Sequence, residues 1–162
     1  MNERFHEIAL EVNGEKVSER VDARTTLVDF LRERLALTGS HVGCEHGVCG
    51  ACSVRVNGAV VRGCLMLAVQ CDGMQVATIE GVARTDEIAD LQQAFIERNA
   101  LQCGYCTPGM LLTAQELLSS GGVPSREAIR AYLSGNYCRC TGYQAIIDAV
   151  EAVAHARAGA QR

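Results

Sequence analysis

Apolar and polar positions alternate near the start of the chain, over residues 8–12, which is the period of a half-buried β-strand. Asn13-Gly14 then supplies the positive backbone angles of a tight hairpin turn, and a second strand is predicted to follow it. The same Asn-Gly signal at residues 57–58 predicts another hairpin over residues 53–61. A last strand is predicted near residues 74–79.

Between the two hairpins, the apolar residues recur with the period of an α-helix. Thr25 or Thr26 is predicted to cap a helix with a single apolar face. The apolar positions of that face are Leu27, Val28, Leu31 and Leu35. Residues 39–52 are glycine-rich and without period, which predicts a loop, and the apolar residues 64–69 predict a short strand at most. The order strand–strand–helix–strand–strand is that of a ubiquitin-like β-grasp sheet.

Beyond residue 84 the pattern is helical only. Four helices are predicted from their capping residues, and they start at Thr85, Thr107, Ser125 and Thr141. Thr141 and Gln144 have the spacing of a capping box. The sequence therefore predicts an α+β protein, with an N-terminal β-grasp domain at residues 1–80, a linker at 81–84 and an all-α four-helix domain at 85–162.

Composition narrows the classes of function. The 162 residues carry a formal net charge of −4 and only 4% aromatic residues, which gives no reason to expect a nucleic-acid partner. No apolar run approaches the roughly 18 residues of a membrane span, and the first residues lack the apolar core of a secretion signal. A cytoplasmic location is therefore predicted. Cysteines in the cytosol bind metal more often than they form disulfides.

Eight of the nine cysteines form two quartets. The first quartet reads C-x4-C-x2-C-x11-C and consists of Cys44, Cys49, Cys52 and Cys64. The second quartet reads C-x2-C-x31-C-x1-C and consists of Cys103, Cys106, Cys138 and Cys140. The C-x4-C-x2-C run is the one with which plant-type ferredoxins hold a [2Fe–2S] cluster. Two such sets in one chain predict two [2Fe–2S] centres in series, which is the arrangement of an electron-transfer protein.

The surroundings of both quartets suit an anionic cluster. Gly43, Gly47 and Gly50 let the backbone of the first loop approach the sulfurs, and its N–H groups can form an anion-binding nest. The second quartet lies just before the predicted helix starts at Thr107 and Thr141. If these two starts converge, two positive helix ends point at one cluster.

Other interpretations of these cysteines and their neighbours agree less well with the sequence. Four thiolates can hold structural zinc, but the spacing of zinc ribbons differs from both quartets. Cys103 and Cys106 alone resemble a thioredoxin-like dithiol, which would need a βαβ setting. Cys71, outside the quartets, is predicted to be a small buried hydrophobe on a strand, and His46 an exposed loop residue. Two interpretations of Arg139 stay open, namely a solvated surface charge or a role near the cluster or a partner subunit.

Three segments carry a resemblance to a known family. They read GCEHGVCGAC at residues 43–52, QCGYCTPG at 102–109 and NYCRCTGY at 136–143. In this order they resemble the small iron–sulfur subunit of the xanthine oxidase family of molybdenum hydroxylases, and the resemblance extends over residues 8–153. It implies a plant-type ferredoxin domain of β-grasp fold, followed by the four-helix [2Fe–2S]-binding domain of that family.

The resemblance also implies cofactors and partners. A large subunit would carry molybdopterin, a medium subunit would carry FAD, and the assembly would be a dimer of heterotrimers. By motif, the second quartet would hold the molybdenum-proximal cluster and the first quartet the flavin-proximal one. Gln102 would contact the pterin. Electrons would pass from molybdenum through both clusters to the flavin.

These observations predict the electron-transfer subunit of a molybdenum hydroxylase, with no catalytic residue of its own and no turnover alone. The alternative is a free-standing ferredoxin-like electron carrier. The second cluster argues against that alternative, since a diffusing carrier needs only one. A cluster-based redox sensor is a third class, but the DNA-binding element it would require is not visible in the sequence.

Overall fold

The computed structural model describes residues 4–160, and these form five strands and six α-helices. The strands are β1 (Phe5–Val12), β2 (Glu15–Asp22), β3 (Ser53–Val56), β4 (Ala59–Arg62) and β5 (Gln75–Ala77). The helices are α1 (Leu27–Asp29), which continues as a π-helical segment at Phe30–Arg34, α2 (Ile79–Arg84), α3 (Ala89–Glu97), α4 (Thr107–Ser119), α5 (Arg126–Leu133) and α6 (Gln144–Ala160). Predictions that extend to residues 1–3 and 161–162 lie outside the described part of the chain.

Both predicted Asn-Gly hairpins are present. β1 pairs with β2, and β3 pairs with β4, each in antiparallel register. The φ angles are 53° and 84° at Asn13 and Gly14, and 48° and 88° at Asn57 and Gly58. Asparagine and glycine adopt this left-handed backbone at the lowest cost, which is why the pair marks the turn in the sequence.

β5 joins the two hairpins into one sheet of order β2-β1-β5-β3-β4. It pairs parallel with β1 and antiparallel with β3. Thr26 caps α1, since its side chain accepts the N–H of Asp29 at 3.2 Å. The buried apolar residues shared by the sheet and this helical segment include Ile8, Leu10, Val12, Leu27, Phe30 and Leu31. The predicted β-grasp fold is confirmed.

The short strand predicted at residues 64–69 is wrong. The segment leads into a 3-10 helix at Ala68–Cys71 and contributes one isolated β-bridge. The N–H of Leu27 donates to the carbonyl of Met66 at 2.7 Å. The segment therefore bonds to the start of α1 instead of extending the sheet.

The four helices predicted beyond residue 84 are α3 to α6, and their apolar faces meet in a second core. Its buried residues include Leu91, Phe95, Leu111, Ala114, Ile129, Leu133, Ile146 and Val150. The start predicted at Thr85 is wrong, because Thr85 is the C-cap of α2 and α3 begins at Ala89. Residues 81–84, predicted as a linker, are helical, because they lie inside α2, whose Val82 is buried in this core. The position of the domain boundary stays a prediction.

The capping box predicted from Thr141 and Gln144 is wrong. α6 begins at Gln144, whose side-chain amide donates to Asp148 at 3.2 Å instead of returning to a cap. The hydroxyl oxygen of Thr141 accepts the N–H of Tyr143 at 3.2 Å and lies 3.1 Å from the Sγ of Cys138. The Thr141 side chain thus contacts the loop that contains Cys138, and α6 begins three residues after Thr141.

Candidate iron–sulfur sites

The first quartet is assembled from a loop and the open end of a hairpin. Cys52 directly precedes β3 and Cys64 follows β4, so the pairing of these strands brings the two residues into one buried cluster, where the N–H of Gly63 donates to the carbonyl of Cys52 at 3.1 Å. Cys44 and Cys49 lie in the glycine-rich loop, where the N–H of Cys49 donates to the Sγ of Cys44 at 3.4 Å. The fold therefore brings the first quartet together as two neighbouring pairs.

Backbone N–H groups surround the sulfur of Cys44. Hydrogen bonds from the N–H groups of Cys49 and His46 lower the pKa of Cys44 to about 6. Glu45 and Gly47, with φ angles of 59° and 84°, give the loop the alternating backbone that directs several N–H groups to one point. This is the anion-binding arrangement predicted for the loop, and it stabilises a thiolate.

Burial has the opposite effect on the pKa of Cys52, in the other pair. Cys52 is 2% exposed and Cys64 is 8% exposed, and both pack against Val28 of α1. Burial raises the pKa of Cys52 to about 11. A sulfur in this position ionises when a metal cation binds it, so ligation and folding of the site are coupled.

The second quartet is formed by two loops of the helical domain, one before α4 and one between α5 and α6. The Sγ atoms of Cys103 and Cys140 are 3.5 Å apart. Cys106 and Cys138 are close enough for Cys138 to raise the pKa of Cys106. Each of these two sulfur pairs therefore connects one loop to the other.

The surroundings of the second quartet are less symmetric than predicted. Burial raises the pKa of Cys106 to about 12, and Cys138 adds to the shift. Burial also acts to raise the pKa of Cys138, but hydrogen bonds from Thr141 lower it, and the lowering prevails. α4 begins at Thr107, directly after Cys106, whereas α6 begins at Gln144. Only α4 therefore begins beside a cysteine of the quartet, and the predicted convergence of two helix starts at this site is wrong.

Two sulfur pairs are what a dinuclear cluster requires, because a [2Fe–2S] centre shares its four cysteines between two irons. Within residues 4–160, no group of three or more His, Cys, Asp or Glu side chains gathers as the ligands of a single metal ion would. The sulfur pairs, the N–H groups directed at Cys44 and the shielding of Cys52 and Cys64 fit [2Fe–2S] clusters. The assignment of the individual ligands stays a prediction.

The loops of the two quartets meet directly. The N–H of Tyr137 donates to the carbonyl of Cys49 at 2.8 Å. The buried side chain of Asn136 donates to the carbonyl of Gly50 at 3.5 Å. A Cβ atom on Gly109 would lie 2.3 Å from the carbonyl oxygen of Gly50, so the contact leaves no space for a side chain. We call this contact the domain interface.

Tyr105, between Cys103 and Cys106, forms a second connection between the loops. Its hydroxyl donates to the carbonyl of Val42 at 2.8 Å. Its ring stacks on the ring of His41, with 4.5 Å between centroids and 16° between planes. Its carbonyl lies 2.8 Å from the Nδ1 of His41. The side chain holds the loop of the second quartet against the residues that enter the first loop.

The variant Tyr105→Phe is expected to lower the apparent Tm of the cluster-loaded protein by about 2–4 °C. It removes one hydrogen bond worth about 1 kcal/mol and keeps the ring stacked on His41. Thermal unfolding followed by loss of visible cluster absorbance measures this. The control is Tyr137→Phe, at a side chain that is 54% exposed, and it should leave Tm unchanged. An equal fall in both variants would contradict the role given to the Tyr105 hydroxyl.

The remaining predicted residues near the quartets lie at the surface. Gln102 is exposed, and its amide donates to the carbonyl of Cys140 at 3.1 Å. Its predicted contact with a pterin stays a prediction. Arg139 is exposed as well. His46 is an exposed loop residue, as predicted, and its Nδ1 contacts the carbonyl of Cys44.

Cys71 is fully buried, as predicted, but it lies in the 3-10 helix and not on a strand. Its Sγ lies 3.8 Å from the carbonyl oxygen of Leu67. Burial raises the pKa of Cys71 to about 11. The residue packs in the core between the sheet and α1, outside both quartets.

Sequence reasoning did not single out Arg62, which reaches the domain interface from the end of β4. Its guanidinium donates to the hydroxyl of Ser53, to the carbonyl of Gly135 at 2.8 Å and to the Oδ1 of Asn136 at 3.1 Å. The last two contacts join residues 73 and 74 positions apart. Neither periodicity nor motif spacing carries a signal for contacts at that separation.

Comparison with known proteins agrees with the two sites. Residues 10–78 match the family described as the 2Fe-2S iron-sulfur cluster binding domain, and residues 78–151 match the [2Fe-2S] binding domain. The chain is 52% identical over 151 residues to the caffeine dehydrogenase subunit gamma of Pseudomonas sp. (strain CBB1), covering 91% of this chain and 90% of that one. It is 51% identical over 144 residues to the nicotine 6-hydroxylase small subunit of Paenarthrobacter nicotinovorans, covering 89% and 87%.

A solved structure shows the same fold. The crystal structure of quinoline 2-oxidoreductase from Pseudomonas putida 86 matches with a TM-score of 0.90 and 44% sequence identity, over 98% of both chains. The fold, the two matched domains and the paired cysteines define an iron–sulfur protein with two consecutive [2Fe–2S]-binding domains. The chain belongs to the xanthine oxidase family of molybdenum hydroxylases, among its small iron–sulfur subunits.

The structure also bears on the membrane prediction. Within residues 4–160, no helix combines the length and the apolar character that crossing a membrane requires.

Proposed function

We propose that this chain relays electrons from a molybdopterin centre on a large partner subunit, through two [2Fe–2S] clusters, to FAD on a medium partner subunit. When bound, each cluster accepts and releases one electron. Cys103, Cys106, Cys138 and Cys140 would hold the cluster nearer molybdenum, and Cys44, Cys49, Cys52 and Cys64 the cluster nearer flavin. The relatives are named as small subunits of a nicotine hydroxylase and a nicotinate dehydrogenase, which supports a non-catalytic role within an oxidoreductase complex.

The observation that carries the proposal is the hydrogen bond between the Tyr137 N–H and the Cys49 carbonyl. Tyr137 is bonded to Cys138 in the chain, and Cys49 belongs to the first quartet. One hydrogen bond therefore joins a ligand residue of one quartet to the neighbour of a ligand residue of the other. Both loops are also fixed by Tyr105. A fixed, short connection between two redox sites is what serial electron transfer requires.

Each quartet also reaches the surface, as a relay between two partners needs. Cys103 and Gln102 are exposed beside the second quartet. Val48 and Leu65, neighbours of Cys49 and Cys64, are 42% and 64% exposed beside the first quartet. These surfaces support docking of a partner at each end of the relay, with Gln102 as the contact to the pterin. A free-standing carrier is less well supported, because it would have no use for two such surfaces.

The proposal extends to assembly and location. A large and a medium partner subunit, arranged as a dimer of heterotrimers in the cytoplasm, are the expectation that follows from the family. Relatives belong to enzymes named for caffeine, nicotine, nicotinate and aldehydes. Since both domains of this chain are occupied by the two cysteine sites, we place substrate choice on the large partner.

Low-temperature EPR of the dithionite-reduced complex tests the cluster assignment. Two inequivalent spin-half [2Fe–2S] signals with different relaxation are expected. A single signal, or zinc in place of iron in the metal analysis, would overturn the assignment.

Purification through a tag on this chain tests the partners. We expect it to bring down two larger chains, together with molybdenum and FAD in the isolated complex. A stable monomer with two clusters and full electron-carrier activity towards unrelated enzymes would instead favour the free-standing carrier.

A further inference from the structure

One cationic side chain lies where the two cysteine loops meet. Arg62 ends β4, two positions before Cys64, and is partly buried. Its guanidinium donates to the hydroxyl of Ser53, the residue that follows Cys52. It also donates to the carbonyl of Gly135 at 2.8 Å and to the Oδ1 of Asn136 at 3.1 Å. One side chain therefore contacts the neighbourhoods of both quartets.

All of these acceptors are neutral. None of the ion pairs found among residues 4–160 includes Arg62. By contrast, Arg55 on the adjacent strand forms two hydrogen bonds with the carboxylate of Glu87, at 2.8 and 3.1 Å. A partly buried guanidinium without a carboxylate is costly unless another anion offsets its charge.

A cluster in each quartet would place an anion near this side chain, since Ser53 follows Cys52 and Asn136 lies two positions before Cys138. A [2Fe–2S] cluster held by four thiolates is negatively charged, and it gains one more negative charge when it accepts an electron. Arg62 is positioned between the segments that supply Cys52 and Cys64 and the segment that supplies Cys138. A fixed cation stabilises the more negative, reduced state, and it does so more strongly in a shielded site than in water.

We propose that Arg62 is the shared counter-cation of both [2Fe–2S] clusters and raises the reduction potential of each. The inference rests on the proposed function, because it requires a cluster in each quartet. Arg62 ligates no iron. It acts through its charge, and the three hydrogen bonds to neutral groups hold that charge in place.

The test is a redox titration of the purified, cluster-loaded complex, with each cluster followed by its EPR signal. In Arg62→Gln, both midpoint potentials are expected to fall. For the cluster of the first quartet, the expected change is about tenfold in the equilibrium constant for accepting an electron, which is about 59 mV for one electron. Arg62→Lys keeps the charge and should retain potentials close to those of the wild type.

Further variants separate charge from structure. Asn136→Asp leaves Arg62 in place and sets a carboxylate beside it, but it also removes the hydrogen bond from Nδ2 to the carbonyl of Gly50. Both potentials should therefore fall below those of Asn136→Ser, which loses the same hydrogen bond without adding a charge. This comparison keeps the inference testable where Arg62→Gln loses a cluster. Arg55→Gln removes one positive charge from the adjacent strand, where Glu87 already neutralises it, and should shift both potentials much less.

Unchanged potentials in Arg62→Gln, with both EPR signals present, would overturn the inference. So would an equal fall in Arg62→Lys, which would assign the effect to hydrogen bonding, or an equal fall in Arg55→Gln, which would assign it to net charge. A wild-type complex without two [2Fe–2S] signals would refute the proposed function instead, so the two failures are distinguishable.

Discussion

Replacing Cys138 by serine is expected to remove one of the two [2Fe–2S] EPR signals and to stop electron flow between molybdenum and flavin. Mutations of groups that only orient a metal ligand cost about 10–100-fold in affinity or activity. Loss of a proposed ligand should therefore lower substrate-dependent reduction of the flavin by at least about 100-fold. Stopped-flow absorbance of the purified complex measures this, and EPR identifies the missing cluster.

The matched variants are Cys49→Ser and Cys71→Ala. Cys49→Ser should remove the other EPR signal and leave the one that Cys138→Ser removes. Cys71→Ala removes a buried thiol outside both quartets, so both signals should remain. Loss of both signals in either serine variant would mean that the two domains fold only together, since metal binding supplies folding energy in small sites.

The second large effect is expected from Gly109→Ala at the domain interface. The added Cβ would lie 2.3 Å from the carbonyl oxygen of Gly50 and 3.3 Å from the Nδ2 of Asn136. Backbone on both sides must shift, because the clash is with a carbonyl and not with the end of a flexible side chain. Overpacking of this kind costs about 3 kcal/mol, which corresponds to a fall in apparent Tm of about 10 °C for a chain of this size.

Gly159→Ala provides the control for helix propensity. Gly159 also lies in a helix, α6, but its added Cβ would meet nothing within 4 Å. Alanine is favoured over glycine inside helices by up to about 1 kcal/mol, so Tm should stay constant or rise slightly. If Gly109→Ala behaved like Gly159→Ala, the close contact between the domains would not exist in solution.

The parts of the fold that depend on neighbouring residues could be predicted from the sequence. Asn13-Gly14 and Asn57-Gly58 marked both hairpin turns, because few other residues adopt their backbone angles. Thr26 and Ser125 marked helix starts, and each caps its helix. The cysteine spacing separated the two quartets, because it reflects the geometry of a ligand loop.

The predictions that were wrong concern features that depend on contacts between distant segments. Thr141 resembled a helix cap, but its hydroxyl lies beside Cys138, a use that a local pattern does not reveal. Residues 64–69 are apolar enough for a strand, but they bond to the start of α1. The domain interface depends on Asn136 reaching Gly50 across 86 positions. Periodicity describes one element at a time, so it could not show which loops meet.

The unequal burial of the two quartets bears on how easily each exchanges its cluster. Cys103 is exposed, whereas no cysteine of the first quartet is fully exposed and Cys52 and Cys64 are buried against Val28 of α1. In the folded chain we therefore expect an iron chelator or an iron–sulfur donor protein to reach the second quartet sooner than the first.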